Sequence, residues 1–292
     1  MSLGKGKLGL QKYKVWAMKK IMDCETSTPK ERGSNTQPEI QFDWVHPNHR
    51  GPNTVLLIRK IVADLILHHC QKRVLDLPCG TGSLTQMLLD RGLDIVSADL
   101  NPEAFLVRGG SCLRVDLNHV LPFRDNEFDA IACIEGIEHI ENPHLLAREA
   151  NRILRVGGKF YISTPNTLSI RSRLSNLLRG YPNQFHYMIE IDLETDLERP
   201  IAHINPIGFL ELRYVLSQWG FRVVSVHANR LYKRRSPLYR LLRFIMLSKG
   251  KKPGATHPLV GEVRKTLLSD PVLFGENLIV EATKKGDVRE RT

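Results

Sequence analysis

The sequence alternates between short apolar runs and longer segments in which apolar residues recur at helical spacing. Short apolar runs predict buried strands, and apolar residues three and four apart predict helices. From residue 73 onward the predicted strands are RVLDLP, DIVSADL, SCLRVDL, FDAIACIEG, KFYISTP, FRVVSVHA and ENLIVEATK. Helical segments such as SLTQMLLDRG, PHLLAREANRIL and IGFLELRYVLSQWG lie between them, and VLLIRKIVADLILHHC precedes the first strand. This alternation predicts an α/β fold with a mostly parallel sheet and helices on both faces.

Three segments depart from the alternation. Residues 1–45 predict a basic, partly flexible N-terminal arm, because they contain a stretch rich in Ser, Thr, Pro, Gly and charge. Residues 46–285 form the predicted domain. Within it, residues 166–204 and 231–274 interrupt the order of strands and helices, and we interpret them as insertions. Insertions at the carboxyl ends of strands usually build substrate sites in such folds.

Composition places the chain among ordinary globular proteins, with 42% hydrophobic and 25% charged residues. No apolar run approaches the length that spans a bilayer, and the N-terminal residues lack the apolar region of a secretory signal. The five cysteines are odd in number and form no CxxC pair, so we expect reduced thiols and a cytoplasmic protein. They are Cys24, Cys70, Cys79, Cys112 and Cys133.

The segment Asp76-Leu-Pro-Cys-Gly80-Thr-Gly82 follows the first predicted strand and opens a helix. Two glycines at this position let the backbone turn tightly and approach a ligand. Asp99 ends the second predicted strand, where a carboxylate can bind ribose hydroxyls, and Asp116 ends the third, where it can bind an adenine amine. A dinucleotide fits poorly, because the third glycine of GxGxxG is missing and Asp76 would repel a pyrophosphate. An acid there suits a cofactor with a positive sulfonium and ammonium.

Over roughly residues 70–230 the sequence resembles the class I S-adenosylmethionine-dependent methyltransferases, particularly ubiquinone-biosynthesis O-methyltransferases and bacterial small-molecule or glycan methyltransferases. The resemblance rests on VLDLPCGTG, SADLNP, VDLNHVLPFRDNEFDAIACIEGIEHIENP and ILRVGGKFYISTPN. It implies a Rossmann-like sheet of seven strands whose last strand is antiparallel, and S-adenosylmethionine as cofactor. It also implies cofactor contacts along the loops that follow the strands. These contacts involve Asp76, Gly80 and Gly82 at the methionine, Asp99 at the ribose, Asp116 with Leu117 at the adenine, and Glu135 near the sulfonium.

The fourth predicted strand is followed by Glu135-Gly136-Ile137-Glu138-His139. A helical turn would bring the acids and the histidine towards one face, and His203 could join them from the second half of the chain. Glu135, Glu138, His139 and His203 are therefore candidate ligands for Mg²⁺ or Mn²⁺, which would lower the pKa of a substrate hydroxyl.

The same arrangement resembles the E-x-x-E-H of metal-dependent ubiquinone-pathway enzymes and of small-RNA terminal 2′-O-methyltransferases. The alternative is that Glu135 touches the cofactor while His139 is a structural hydrogen bonder or a general base. We therefore take Glu138, His139 and His203 as the candidate catalytic residues. His186, in an aromatic-rich segment, ranks below His203 as a further ligand or base.

The net charge of +11 is concentrated in the arm and in residues 231–252, LYKRRSPLYRLLRFIMLSKGKK. The mixture of apolar residues with eight Lys or Arg predicts a helix from Pro237 to Ser248. Such a helix suits peripheral contact with an anionic membrane or a docking face for another subunit, and packing onto the sheet is an equally good interpretation.

The sequence thus favours an enzyme that methylates a hydroxyl of a small molecule, a sugar or a lipid-linked precursor. One alternative is an RNA 2′-O-methyltransferase, although no RNA-binding module is recognisable. Another is a catalytically inert methyltransferase fold that acts as a binding subunit.

Overall fold

The computed structural model describes residues 54–185, 203–248 and 258–287. The predicted arm, residues 1–45, lies outside these ranges, as do His186 and Cys24. The strands are β1 (Arg73–Asp76), β2 (Asp94–Asp99), β3 (Cys112–Arg114), β4 (Phe128–Ile134), β5 (Leu154–Pro165), β6 (Phe221–Ala228) and β7 (Asn277–Lys284). The helices are α1 (Thr54–His68), α2 (Ser83–Leu89), α3 (Pro143–Ile153), α4 (Ile170–Arg179), α5 (Phe209–Gln218), α6 (Pro237–Ser248), α7 (Pro258–Leu267) and α8 (Asp270–Phe274).

The described strands form one seven-stranded sheet in the order β3-β2-β1-β4-β5-β7-β6. Pairs from β3 to β5 are parallel, and β7 runs antiparallel to both β5 and β6. The α/β fold with an antiparallel last strand is therefore confirmed. Strands β1, β2, β4, β5 and β6 end at the same edge of the sheet, which we call the carboxyl edge, and β7 begins there.

Two apolar layers cover the sheet. In α1, buried residues at helical spacing, among them Ile58, Ile61 and Leu65, pack with Val74 of β1 and Tyr161 of β5. The opposite face buries a second cluster built on α3, α5 and the other side of the strands. Because both faces are covered, the central strands are apolar along their whole length, which is the pattern that the sequence displayed.

Helix ends follow local chemistry. The Asn142 side chain accepts a hydrogen bond from the backbone N–H of Leu145, and Pro143 occupies the first turn of α3. In α4, the Ser169 hydroxyl accepts from the N–H of Ser172. These capping contacts fix where the segments after β4 and β5 turn back from the carboxyl edge.

Several boundaries differ from the sequence prediction. Strand β5 begins at Leu154, directly after α3, rather than beyond Gly157 and Gly158, because its first residues already pair with β4. Helix α5 begins at Phe209, two residues after the start of the predicted segment, and is preceded by Gly208. The insertions contain helices of their own: α4 lies in residues 166–204, and α6, α7 and α8 lie in residues 231–274.

The four described cysteines are all free, with Cys79 and Cys133 buried. The Sγ atoms of Cys79 and Cys112 lie 3.4 Å apart. Among the described helices, none combines the length and apolarity needed to cross a membrane.

Candidate functional site

The loop between β1 and α2 turns at the carboxyl edge with two glycines in the left-handed region. Gly80 has φ +54° and Gly82 has φ +81°. A Cβ on Gly82 would lie 2.5 Å from side-chain atoms of both Phe105 and Val107. Glycine is therefore required at residue 82 for backbone conformation and for space, as the sequence pattern predicted.

Asp99 joins this loop to the end of β2. Its carboxylate accepts hydrogen bonds from the backbone N–H of Gly80 at 2.7 Å and of Asn101 at 2.9 Å. Asp76 is instead buried, and one of its oxygens accepts from both the N–H and the hydroxyl of Thr85. Burial raises the pKa of Asp76 to about 6, against the lowering effect of these bonds and of Arg59. Asp76 thus holds the first turn of α2 beneath the loop.

Asp116 lies two residues beyond β3, on the neighbouring strand end. Its carboxylate accepts from the N–H of Asn118 and lies 3.1 Å from Nδ1 of His119. The Leu117 side chain is buried in the core. The strand order β3-β2-β1 places Asp116, Asp99 and Asp76 at three adjacent strand ends, as the sequence argument required.

Arg59 is a site residue that sequence reasoning missed. It lies on α1, its Nη1 donates to the Ser83 hydroxyl at 3.1 Å, and its Nη2 is 3.2 Å from where a Cβ on Gly80 would stand. The helical pattern of α1 shows only that Arg59 lies beside the buried stripe. Its approach to the glycine loop depends on how α1 packs against α2, which is a tertiary contact.

Glu135 follows β4 with φ +51°, in the left-handed region. Its carboxylate accepts from the Ser163 hydroxyl at 2.7 Å and from the Asn277 side-chain amide at 2.6 Å. Burial is the main reason that its pKa rises to about 7. The next residue, Gly136, packs closely on the loop between β1 and α2. A Cβ on Gly136 would lie 2.6 Å from Cδ of Pro78.

Glu138 and His139 form a 3₁₀ turn with Ile137, and His203 approaches this turn from the segment before α5. The potential ligand atoms of Glu138, His139 and His203 all lie within 4.8 Å of one another. The backbone N–H groups of Ile204 and Asn205 both donate to the Glu138 carbonyl, at 2.9 and 3.0 Å. These bonds hold His203 beside the turn.

The Glu138 carboxyl group is fully buried, and neither oxygen has a hydrogen-bond partner of normal geometry. The Thr164 hydroxyl also has no hydrogen bond of normal geometry, although it lies close enough to Glu138 to lower the pKa of that group. Burial, followed by the charge of Glu135, raises the pKa of Glu138 well above its usual value. If this buried group is ionised it needs a compensating positive charge, and a divalent cation between it and two imidazoles would supply one.

The ring of His203 has a defined orientation. Its Nδ1 lies 2.9 Å from the Gln184 carbonyl oxygen, which can only accept, so Nδ1 carries the proton and Nε2 is the basic nitrogen. The centroids of the His139 and His203 rings are 4.8 Å apart. A backbone carbonyl that fixes the tautomer of a histidine in this way is typical of metal ligands.

Of the four candidate metal ligands, the structure brings together Glu138, His139 and His203. Glu135 does not belong to that group, because its carboxylate is directed to Ser163 and Asn277. The expected helical turn does not form through Glu135, whose left-handed backbone separates it from the turn at Ile137.

Comparison with known proteins identifies relatives of the chain. Residues 75–162 match the family described as methyltransferase domain. The chain is 31% identical over 213 residues to a demethylmenaquinone methyltransferase of Paenarthrobacter aurescens, across 64% of this chain and 83% of that protein. It is 33% identical over 103 residues to a ubiquinone biosynthesis O-methyltransferase of Xanthomonas oryzae pv. oryzae, across 32% of this chain and 43% of that protein.

Coverage differs among the relatives. The match to a demethylmenaquinone methyltransferase of Renibacterium salmoninarum, 31% identical, covers 42% of this chain and 56% of that protein, about half its length. A crystal structure of an S-adenosylmethionine-dependent methyltransferase from Archaeoglobus fulgidus aligns over 77% of this chain and 94% of that one, with 17% identity and a TM-score of 0.49. The extended match to the Paenarthrobacter protein and the methyltransferase-domain match show the family, and the chain belongs to the class I S-adenosylmethionine-dependent methyltransferases.

Proposed function

We propose that the protein transfers a methyl group from S-adenosylmethionine to a hydroxyl oxygen of a small molecule, a sugar or a lipid-linked precursor. We further propose that Glu138, His139 and His203 hold a divalent cation that contacts this hydroxyl. The observation that carries the proposal is the buried carboxyl group of Glu138, whose oxygens have no hydrogen bond of normal geometry among the described residues and which lies beside two imidazoles.

The strand-end residues are assigned to the cofactor. Asp99 would bind the ribose hydroxyls, and Asp116 with the backbone of Leu117 would bind the adenine. The backbone at Gly80 and Gly82 would approach the methionine part, which carries both an ammonium and a carboxylate. Arg59 supplies the positive charge for that carboxylate. Glu135 and Asp76 would lie near the ammonium and sulfonium, whose positive charges would favour the ionised form of these buried carboxyl groups over the neutral form that burial favours.

The metal set offers one carboxylate and two imidazoles. Imidazole nitrogens suit Mn²⁺ better than Mg²⁺, which prefers oxygen ligands. Three protein ligands also leave room for oxygens of an acceptor, as in catalytic metal sites generally. When bound, such a cation lowers the pKa of a coordinated hydroxyl. Glu138 would offset one of the two positive charges of the cation, and the Gln184 carbonyl would keep His203 in the tautomer that can ligate.

One relative supports a hydroxyl acceptor, because it is named a ubiquinone biosynthesis O-methyltransferase. The relative with the longer match is named for demethylmenaquinone, and its name does not say which atom is methylated. A pair of adjacent hydroxyls is the acceptor chemistry that a cation in this group would bind best, because two oxygens of one molecule can reach the metal together.

The test is methyl transfer from labelled S-adenosylmethionine to a soluble aromatic vicinal diol, with and without chelator. We expect activity to vanish in chelator and to return with Mn²⁺ or Mg²⁺. Glu138→Gln and His139→Gln should lose activity while retaining cofactor binding. His144→Gln is the matched control, because His144 is a histidine on α3 whose Nδ1 accepts from the Trp219 indole at 3.1 Å.

Two results would count against the proposal. Full activity in chelator would show that the reaction needs no cation, and His139 would then be assigned as a general base. Retained activity in Glu138→Gln would show that the buried carboxylate is not needed for the reaction.

A further inference from the structure

The helix α6 has two apolar faces, of which only one is packed. Tyr239, Leu242 and Met246 pack inward against Ile170 and Leu174 of α4 and against α8. The outward face exposes five large hydrophobic side chains between 39% and 67%. They are Leu238, Leu241, Phe244, Ile245 and Leu247. The inner contacts fix the orientation of α6, so the apolar outer face is a property of the folded protein.

Arginines surround this exposed face. A depression of about 650 Å³ is lined by Arg234, Arg235, Arg240 and Arg243 together with Phe244 and Leu247. Arg234 and Arg243 each form an ion pair with Asp270 at 2.7 Å. Among the described residues, neither Arg235 nor Arg240 has a carboxylate partner. The four arginines are thus balanced by one carboxylate among the described residues, so the depression is positive and would attract phosphate groups.

A second helix also exposes leucines. Helix α4 shares one apolar cluster with α6, and its last turn exposes Leu177 and Leu178, each by 79%. Arg171, in the first turn of α4, lies over the ring of Tyr232 at 5.2 Å from its centroid. Exposed leucines therefore occur on two helices that belong to the same apolar cluster.

This surface lies at the carboxyl edge of the sheet. Helix α4 follows β5, α6 follows β6, and α8 leads into β7. The Asn166 side chain, just beyond β5, donates to the carbonyls of Val272 and Gly275 at 2.9 and 3.0 Å. These bonds fasten α8 and the start of β7 to the end of β5, and Asn277 of β7 is the residue that binds Glu135. The surface and the candidate site are parts of one edge.

We infer that α6 and the last turn of α4 form a docking surface for a bilayer that contains anionic phospholipids. Arginine side chains would contact the lipid phosphates, while the leucines and Phe244 enter the boundary between headgroups and acyl chains. Aliphatic exposure favours lipid over RNA, because recognition of single-stranded RNA uses aromatic stacking platforms. Docking would present the carboxyl edge to acceptors at the membrane. The inference does not depend on which atom is methylated.

The experiment is cosedimentation of the full-length protein with vesicles of phosphatidylcholine mixed with phosphatidylglycerol, and with phosphatidylcholine alone. We expect binding to the anionic vesicles, weakened by salt. Leu241→Gln with Phe244→Gln should abolish binding, and Arg235→Gln with Arg240→Gln should weaken it roughly tenfold or more. Arg234 and Arg243 are left unchanged, because their pairs with Asp270 hold α8.

Matched controls are Leu210→Gln, which replaces an exposed leucine of α5, and Arg124→Gln, which replaces an exposed arginine before β4 at the opposite edge of the sheet. Both should bind vesicles normally. A Phe244→Trp variant gives a direct readout, because its fluorescence should be quenched by brominated lipids if the side chain enters the bilayer. Near-ultraviolet circular dichroism and binding of S-adenosylhomocysteine check that each variant is folded.

Three outcomes would overturn the inference. The first is absence of wild-type binding to anionic vesicles, and the second is binding that the α6 substitutions leave unchanged. The third is an effect of those substitutions on self-association or RNA binding, with vesicle binding intact. Because vesicle binding is measured without methyl transfer, its failure is distinguishable from failure of the proposed reaction.

Discussion

Glu138 combines complete burial with two oxygens that make no hydrogen bond of normal geometry to the described residues. An ionised carboxylate in this position would be costly, and the nearby charge of Glu135 raises the cost further. Without a cation, the raised pKa keeps Glu138 protonated over a range where an exposed glutamate is ionised. A cation must therefore displace a proton to bind.

From this follows a pH dependence of cation binding. Mn²⁺ affinity should rise with pH, by up to about tenfold per unit, until the pH passes the raised pKa of Glu138, and binding should release a proton. Isothermal titration in buffers of different ionisation enthalpy measures both quantities. Glu138→Gln should abolish binding and proton release. An affinity that is independent of pH across this range would contradict the assignment.

The pKa shifts also affect the metal-free protein. Burial raises the pKa of Glu135 from 4.5 to about 7 and that of Asp76 from 3.8 to about 6. A carboxyl group with a higher pKa in the folded state takes up a proton on folding, so its contribution favours folding at low pH and declines as pH rises through this window. We expect Glu135→Gln to flatten the dependence of the unfolding free energy on pH between about 4.5 and about 7. Urea titrations at several pH values measure this, and an unchanged slope would refute it.

Arg59 offers a test of the cofactor assignment. Arg59→Gln should weaken binding of S-adenosylhomocysteine about tenfold or more, because a hydrogen bond to a charged group contributes about 1.5–3 kcal/mol. Lys60→Gln is the control, since Lys60 is the adjacent cationic residue of α1 and is exposed. Calorimetry of both variants decides the matter: equal affinities for the two would exclude Arg59 from the cofactor site.

At the scale of elements, β7 is held in the sheet by a buried charge. Glu281 accepts from Lys159 at 2.7 Å and from Ser225 at 2.8 Å, and it lies 3.0 Å from His69. Burial acts to raise the pKa of Glu281, but the bonds and charges of His69 and Lys159 outweigh it and hold the pKa well below its usual value. One carboxylate thus links β5, β6, β7 and the end of α1.

Glu281→Gln should destabilise the fold by about 3 kcal/mol at neutral pH, because Lys159 would remain buried without its partner. A depressed pKa stabilises above the usual carboxyl range, so the difference from wild type should shrink as pH falls through that range. Urea unfolding at neutral and acidic pH measures this, with the exposed Glu141→Gln as control. A difference that stays constant with pH would show that the charge of Glu281 is not the cause.

The elements also indicate what the sequence could predict. Strand β6 and helix α6 have the bounds that their apolar patterns predicted, because each buries a face of regular period. The backbone of Glu135 could not be predicted, since its left-handed conformation accompanies a bond to Asn277, 142 residues later. The same is true of Arg59. The identity and order of Asp76, Asp99 and Asp116 at the strand ends follow from the local pattern. The separation of the Glu135 carboxylate from the Glu138 carboxyl group follows from tertiary contacts.

In the molecule as a whole, the candidate functional residues lie at one edge of the sheet. The glycine loop follows β1, Asp99 ends β2, the Glu138 turn follows β4, and α4 and α6 follow β5 and β6. Parallel strands make this inevitable, because all their carboxyl ends meet at the same edge. The opposite edge carries ion pairs such as that of Arg155 with Asp129, which serve the fold. Docking of a membrane on the surface of α6 and α4 at this edge would therefore orient the candidate site towards the bilayer together with the protein.

The place of β7 bears on how the protein is made. This strand is synthesised after the other six described strands, yet it lies between β5 and β6 in the sheet order. Until it leaves the ribosome, a nascent chain has an unpaired β5 edge, and Glu135 lacks Asn277. A chain that stops at Gly275 should be largely insoluble and should not bind S-adenosylhomocysteine. A pull-down of stalled nascent chains measures this binding. Binding of S-adenosylhomocysteine would then show that β7 has been synthesised and has entered the sheet.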